Sequence, residues 1–359
     1  MYRCNMKTKR KSQPGLFDEE LRLRKLSLKG DPLERLNKKI QWEEFRPIIE
    51  DGLKKEPKAP GGRPPYDALL KFKMLILQRY YNISDEQLEY QVNDRLTFMR
   101  FLGLDIASDV PDCNTIWTFR EQLKENGIVE KLFEKFLAML ENEGFIANEG
   151  SIIDASFVEV PRQRNKKDEN DKIKNNEIPD GWEKEENKNK LSHKDMDARW
   201  TKKNNENYYG YKDHVKVDKK SKILTKYEVT SANVHDSQKL EDLLDEKDKG
   251  KALYGDSAYV GQEETLLKKE VTDCIHEKGY KNRKLTDEQK SNNKVKSKTR
   301  VRVEHVFGFI ENSMNGSVIK TIGIRRAQVN IGLMNLTYNL FRYMFLSREK
   351  CAHLAEMTV

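Results

Sequence analysis

No apolar run in this sequence approaches the 18 or so residues that a membrane-spanning helix requires, and no apolar stretch follows the basic N-terminus. Neither a membrane span nor a secretory signal is therefore expected. Cysteine is scarce as well. Cys4, Cys113, Cys274 and Cys351 stand far apart with no Cys-x-x-Cys pairing, which argues against a disulfide framework or a zinc knuckle and for a reducing compartment. Apolar residues make up only 36% of the 359 residues, whereas charged residues reach 35%, so long solvated segments should accompany a modest core. What is abundant is positive charge. The formal net charge of +8 points to a polyanionic partner, with nucleic acid leading.

The first 145 residues read as helices. After a basic arm at 7–11, residues 33–50 carry an apolar stripe of Leu33, Leu36, Ile40, Phe45 and Ile48. The run Pro60-Gly61-Gly62-Arg63-Pro64-Pro65 is a turn. Residues 66–81 then suit a buried helix, Ser84 with Gln87 three residues on opens another, and Asp112-Cys113-Asn114-Thr115 starts a third. An amphipathic helix over 129–143 closes the region. This divides the chain into a basic arm and helix (1–60) and a helical domain for DNA binding or dimerisation (61–145), with Arg63, Arg95, Arg100 and Arg120 as candidate contacts.

From Gly150 the pattern changes to strands. Residues 151–160 form the first and carry Asp154. Residues 161–206 hold 13 lysines and arginines, 11 acids and eight asparagines with almost no aliphatic side chains, too little apolar surface to offset ordering entropy. A mobile insertion is expected there. Residues 208–217 and 223–230 alternate like an antiparallel hairpin with one wet face. The apolar run before Asp256 reads as a buried strand that delivers this carboxylate to a strand end, where open sheets place ligands. Three meander strands followed by alternating helices and strands match a ribonuclease H-like mixed sheet. In that layout the first and fourth strands are neighbours, so Asp154 and Asp256 should meet.

Residues 278–302 contain ten lysines and arginines against two acids, an excess of eight that equals the net charge of the whole chain. The segment leads into a helix whose Val303, Val306, Phe307 and Ile310 face a core and whose Glu304 lies one turn from Arg300. Two readings stand. Glu304 is either half of an exposed ion pair worth about 0.3–0.5 kcal/mol, or the third carboxylate of a site for two divalent metals. In the second reading the basic segment is a DNA clamp beside it. Residues 318–345 are expected as two helices covering the opposite sheet face.

Taken in order, Ile153-Asp154-Ala155-Ser156, Gly210-Tyr211-Lys212-Asp213-His214, Asn233-Val234-His235-Asp236-Ser237, Gly255-Asp256-Ser257-Ala258-Tyr259 and Arg302-Val303-Glu304-His305-Val306-Phe307-Gly308 resemble DDE transposases of bacterial insertion sequences, most closely the insertion sequence five family. The resemblance implies an α+β chain: an all-helical N-terminal domain, then a ribonuclease H-like catalytic domain over 146–347, then a tail over 348–359. It implies Asp154, Asp256 and Glu304 as catalytic and metal-binding residues, and two Mg²⁺ or Mn²⁺ ions as cofactor. The activity implied is cleavage of double-stranded DNA at the element's terminal inverted repeats and transfer of the 3′-hydroxyl into target DNA. A homodimer on DNA and a nucleoid-associated cytoplasmic location follow. Lys212, His214, Lys296, Lys298, Arg300, Arg302 and His305 are the candidate DNA contacts. The wider superfamily has a tyrosine three residues before the arginine and a lysine seven after the glutamate, where this chain has Ser297 and Glu311. Rival readings are a catalytically inactive DNA-binding relative and a ribonuclease H-like nuclease without strand transfer.

Overall fold

The computed structural model describes residues 15, 17–54, 64–203, 205–280 and 283–357, with the backbone alone at Lys188 and at residues 351–357. The basic arm at 7–11 and Pro60, Gly61, Gly62 and Arg63 of the turn lie outside the described residues.

Helices run from Asp18–Leu28 through Ile128–Asn142. Their starts are set by short polar side chains that take up otherwise unpaired backbone N–H groups. Asp67 accepts from Leu69 N at 3.1 Å, Ser84 from Gln87 N at 3.2 Å and Asp112 from Thr115 N at 2.6 Å.

The mixed sheet follows, with β1 (Ser151–Glu159), β2 (Arg199–Lys203), β3 (Glu206–Asp218), β4 (Leu224–Ser231), β5 (Ala252–Gly255) and β6 (Thr272–Ile275). β1 pairs antiparallel with β3 and parallel with β5, β3 pairs antiparallel with β4, and β5 runs parallel to β6. The order β4-β3-β1-β5-β6 is the ribonuclease H-like arrangement, with β2 added along the first half of β3. One face of the sheet shares a core with the helical layer, through residues such as Phe72, Leu75, Val215, Val303 and Leu336. The other face covers a smaller core of Ile153, Leu240, Leu243, Leu253, Tyr259 and Leu266.

Two expectations are corrected. Residues 318–345 do not form two helices; a single helix, Ile324–Met357, crosses the molecule and continues through most of the expected tail. The polar residues that interrupt its apolar stripe are bonded rather than solvated. Asn335 donates to Asp213 at 2.9 Å, Asn339 bonds both N and O of Leu224, and Thr337 donates to Leu333 O. The polar segment 161–206 also carries more regular structure than its composition predicts. Helix Lys167–Lys174 packs over Trp182, which is buried and donates its Nε1 to Glu169 at 3.0 Å. Beyond it, the buried Asp195 accepts from Asp197 N, Ala198 N, the Tyr211 hydroxyl and Gly323 N.

Candidate active site

The parallel register of β1 and β5 pairs Ile152 with Tyr254. Two residues further along each strand come Asp154 and Asp256, so the topology brings together two carboxylates 102 positions apart. Gly255 leaves room for the Ile153 and Tyr259 side chains packed over it: a Cβ there would meet atoms of both at 3.2 Å. Asp256 ends its strand by capping the short turn Ser257–Tyr259, accepting from Ala258 N at 2.8 Å.

Asp154 is buried. Its Oδ1 accepts from Ala155 N and its Oδ2 from Arg300 Nη1, each at 2.8 Å. Burial pushes its carboxyl up to about 6, with Asp256 acting in the same direction and the Ala155 N–H and Arg300 opposing it. Arg300 comes from the helix Asp287–Gly308, and its other nitrogen, Nη2, donates to Glu304 Oε1 at 2.7 Å. The Glu304 side chain is 53% exposed. One guanidinium thus ties the strand carboxylate to the helix carboxylate.

Two further side chains border this point: His276, which no motif marks, and Tyr259, which closes the Gly255-Asp256-Ser257-Ala258-Tyr259 motif. His276 follows β6, donates its backbone N–H to Gly255 O at 3.1 Å and lies 3.2 Å from Ser297 Oγ through Nε2. Burial, Arg300 and Lys296 hold its pKa below the ordinary histidine value, against the pull of Asp256. Tyr259 is buried, and its hydroxyl has no partner among the described residues. Burial first, then Asp236, Asp154 and Asp256, raise its pKa well above the tyrosine norm.

The expected DNA contacts divide into two groups. Lys296, Lys298, Arg300, Arg302 and His305 all lie on the Asp287–Gly308 helix. Lys298 and His305 are exposed, whereas Lys296 donates to Ile275 O and Arg302 to Lys219 O, both at 2.8 Å. Lys212 and His214, by contrast, are buried. Lys212 donates to Asp236 at 2.8 Å and to Val234 O at 2.7 Å. His214 Nε2 lies 2.8 Å from Thr230 Oγ1, and burial pulls its pKa down to about 4. The polar alternation of β3 reads as a wet face, but that face is covered by Leu240 and Leu243, with Asp236, Asp245 and Asp248 meeting its lysines.

The family described as Transposase DDE domain matches residues 147–340, which hold all three carboxylates. The chain belongs to that family. A second description, Transposase domain (DUF772), matches residues 21–122 of the helical region. Among solved structures, a cryo-EM piggyBac transposase synaptic complex with hairpin DNA aligns at 13% identity over 87% of this chain and 74% of that one, with a TM-score of 0.41.

Family membership implies a metal-dependent enzyme that cuts and joins DNA. The transposase's own residues fit a hard divalent ion in their chemistry, since Asp154, Asp256 and Glu304 offer only oxygen donors. Among the described residues, no three histidine, cysteine or acidic side chains stand close enough to share one ion in the present arrangement. Arg300 accounts for this between two of the three, because its guanidinium spans Asp154 and Glu304. Also among the described residues, no helix is long and apolar enough to cross a membrane.

Proposed function

We propose that this transposase cuts DNA at the ends of an insertion sequence and joins the freed 3′-hydroxyl to target DNA, with Asp154, Asp256 and Glu304 as its metal-holding triad. The observation that carries the reading is the Arg300 bridge. A cation already lies between Asp154 and Glu304, beside the strand end that presents Asp256. Carboxylates held around a cation are what a divalent ion requires.

Two Mg²⁺ or Mn²⁺ ions, when bound, would supply an activated water and stabilise the leaving oxygen of an in-line phosphoryl transfer. The chain does the rest. Asp154 and Asp256 fix the centre on paired strands, and Glu304 closes it from a helix that is half-exposed there, leaving one side open to a DNA strand. Arg300, on leaving Asp154, is placed to grip the scissile phosphate with a planar pair of donors. Lys298 and His305 extend the same helix toward the DNA backbone, with Lys296 and Arg302 flanking them. The helical part, residues 61–145, is assigned to DNA binding and dimerisation and residues 146–347 to catalysis, with a homodimer holding two element ends.

Labelled duplexes carrying the element's own ends, incubated with target plasmid and Mn²⁺, test this reading. Covalently joined product supports it. Nicked ends without joining would assign a nuclease, and binding without nicking would assign an inactive DNA-binding relative.

A further inference from the structure

A cleft of about 490 Å³ opens where the helical layer meets residues 318–322, lined by Arg79, Asn82, Trp117, Arg120, Lys320 and Arg326 among others. Its far wall is fixed to the catalytic sheet. Glu159, the last residue of β1, donates its N–H to Ser317 O at 2.8 Å and accepts from Ile319 N at 2.9 Å. Asn82 ties the same segment to the helix Ala68–Tyr81, donating to Asn315 O at 2.7 Å and Val318 O at 3.3 Å. Glu159 is five residues beyond Asp154 on one strand, about 16–17 Å along it. That is within half of the roughly 34 Å turn of B-DNA.

The charges in this cleft do not cancel. Arg120 is consumed by Asp85 in two bonds of 2.8 Å and by Gln78 at 2.9 Å. Arg326 is consumed by Glu121 at 2.8 and 2.9 Å. Glu86 is exposed, and so is Lys320. Arg79 stands apart. Its Nε is buried without a hydrogen-bond partner, and no described residue forms an ion pair or hydrogen bond with the guanidinium. Burial, reinforced by Arg120 and opposed by Asp85, pulls its pKa down to about 10. Arg79 is half-buried, and leaving its sealed Nε unpaired costs free energy that an anion from outside the chain would offset.

We propose that this cleft binds a phosphate of the DNA backbone, with Arg79 as the recessed anchor and Lys320 at the rim. A guanidinium offers the paired donors that phosphate oxygens accept, and the cleft's place at the end of β1 keeps a bound strand in reach of the carboxylates. The identity of the anion rests on the transposase reading.

The test uses the full chain and a duplex of about 30 base pairs, with affinity measured by fluorescence anisotropy across a salt series. Arg79→Met is expected to bind about ten-fold more weakly at low salt and to reduce the slope of log K against log salt by about one. Its melting temperature should hold or rise, because a buried, unpaired Nε donor is gone. Lys320→Gln, at an exposed position, is expected to weaken binding and lower the slope without affecting folding. Wild-type affinity and slope in both variants would overturn the proposal, as would a lower melting temperature in Arg79→Met, which would make Arg79 structural. Inorganic phosphate that stabilises the wild type but not Arg79→Met, with duplex binding equal in both, would assign the cleft to a free anion instead. A wild-type chain that binds no duplex at all would overturn the transposase reading along with it.

Discussion

Arg300 lies 146 residues from Asp154 in sequence and 2.8 Å from it in space. The same guanidinium holds Glu304 at 2.7 Å, so the two carboxylates share one cation. That cation must give way if a divalent ion is to take its place. Removing it should therefore do two opposite things. Arg300→Ala leaves buried Asp154 without its counter-charge and is expected to lower metal-free stability by about 1–3 kcal/mol. It also removes a competitor, so Mn²⁺ should raise the melting temperature more in the variant than in the wild type. Thermal melts with and without Mn²⁺ check both effects; an equal or smaller metal-induced rise in the variant contradicts the competition.

Asp213 and Asn335 form a buried pair in which each retains one oxygen without a partner. Burial raises the Asp213 carboxyl from 3.8 to about 7, against the Asn335 hydrogen bond. A raised carboxyl contributes stability fully below its unfolded value, and that contribution is lost as pH climbs through about 7. Asp213→Asn places an amide donor where the orphan Asn335 oxygen is. It should remove this share of the pH dependence and stabilise the chain by about 1–3 kcal/mol at pH 8. Denaturant midpoints from pH 5 to 8 measure it, and parallel curves for the two proteins would count against a neutral Asp213.

Asp195 gathers donors from three places: its own turn, Tyr211 on β3 and Gly323 just before the long Ile324–Met357 helix. Its neighbour Asp197 accepts from Ile324 N at 2.8 Å. Asp195→Ala would strand these donors at a buried point and is expected to cost about 1–3 kcal/mol or more. Urea unfolding tests it; a change under about 0.5 kcal/mol would mean the segment is not anchored there.

Lys212 separates a structural lysine from a DNA contact. Its ammonium is bonded to Asp236 inside the fold, so Lys212→Met should destabilise by about 3–5 kcal/mol, the cost of breaking a buried pair. For chains that remain folded, the salt slope of duplex binding should be unchanged, whereas Lys298→Gln should lower it. A lower slope for Lys212→Met would return it to the interface.

Much of the catalytic half was legible from local pattern. Short apolar runs ending in Asp154 and Asp256 identify two inner strands, and the meander between them fixes which strands become neighbours. Glu304 was legible as a helix residue one turn from Arg300, but periodicity alone left open whether it paired outward or turned toward the strands. What escaped depends on tertiary covering. The polar face of β3 looks wet until Leu240 and Leu243 lie over it, and the asparagines of the Ile324–Met357 helix look like interruptions until Asp213 and Leu224 bond them. Trp182 organises a stretch that is otherwise almost free of apolar residues. Arg79, one cation inside an apolar helix, carries no signal until its lack of a partner is visible in space.

The central claim is that Glu304 joins Asp154 and Asp256 in holding metal. Mn²⁺ titration of the full chain, followed by the electron paramagnetic resonance of the free ion, tests it most directly. Asp154→Asn, Asp256→Asn and Glu304→Gln should each weaken Mn²⁺ binding by at least about ten-fold, since each removes a charged oxygen donor. Glu304→Gln binding Mn²⁺ as tightly as the wild type would contradict the account, leaving Glu304 as no more than a half-exposed partner of Arg300.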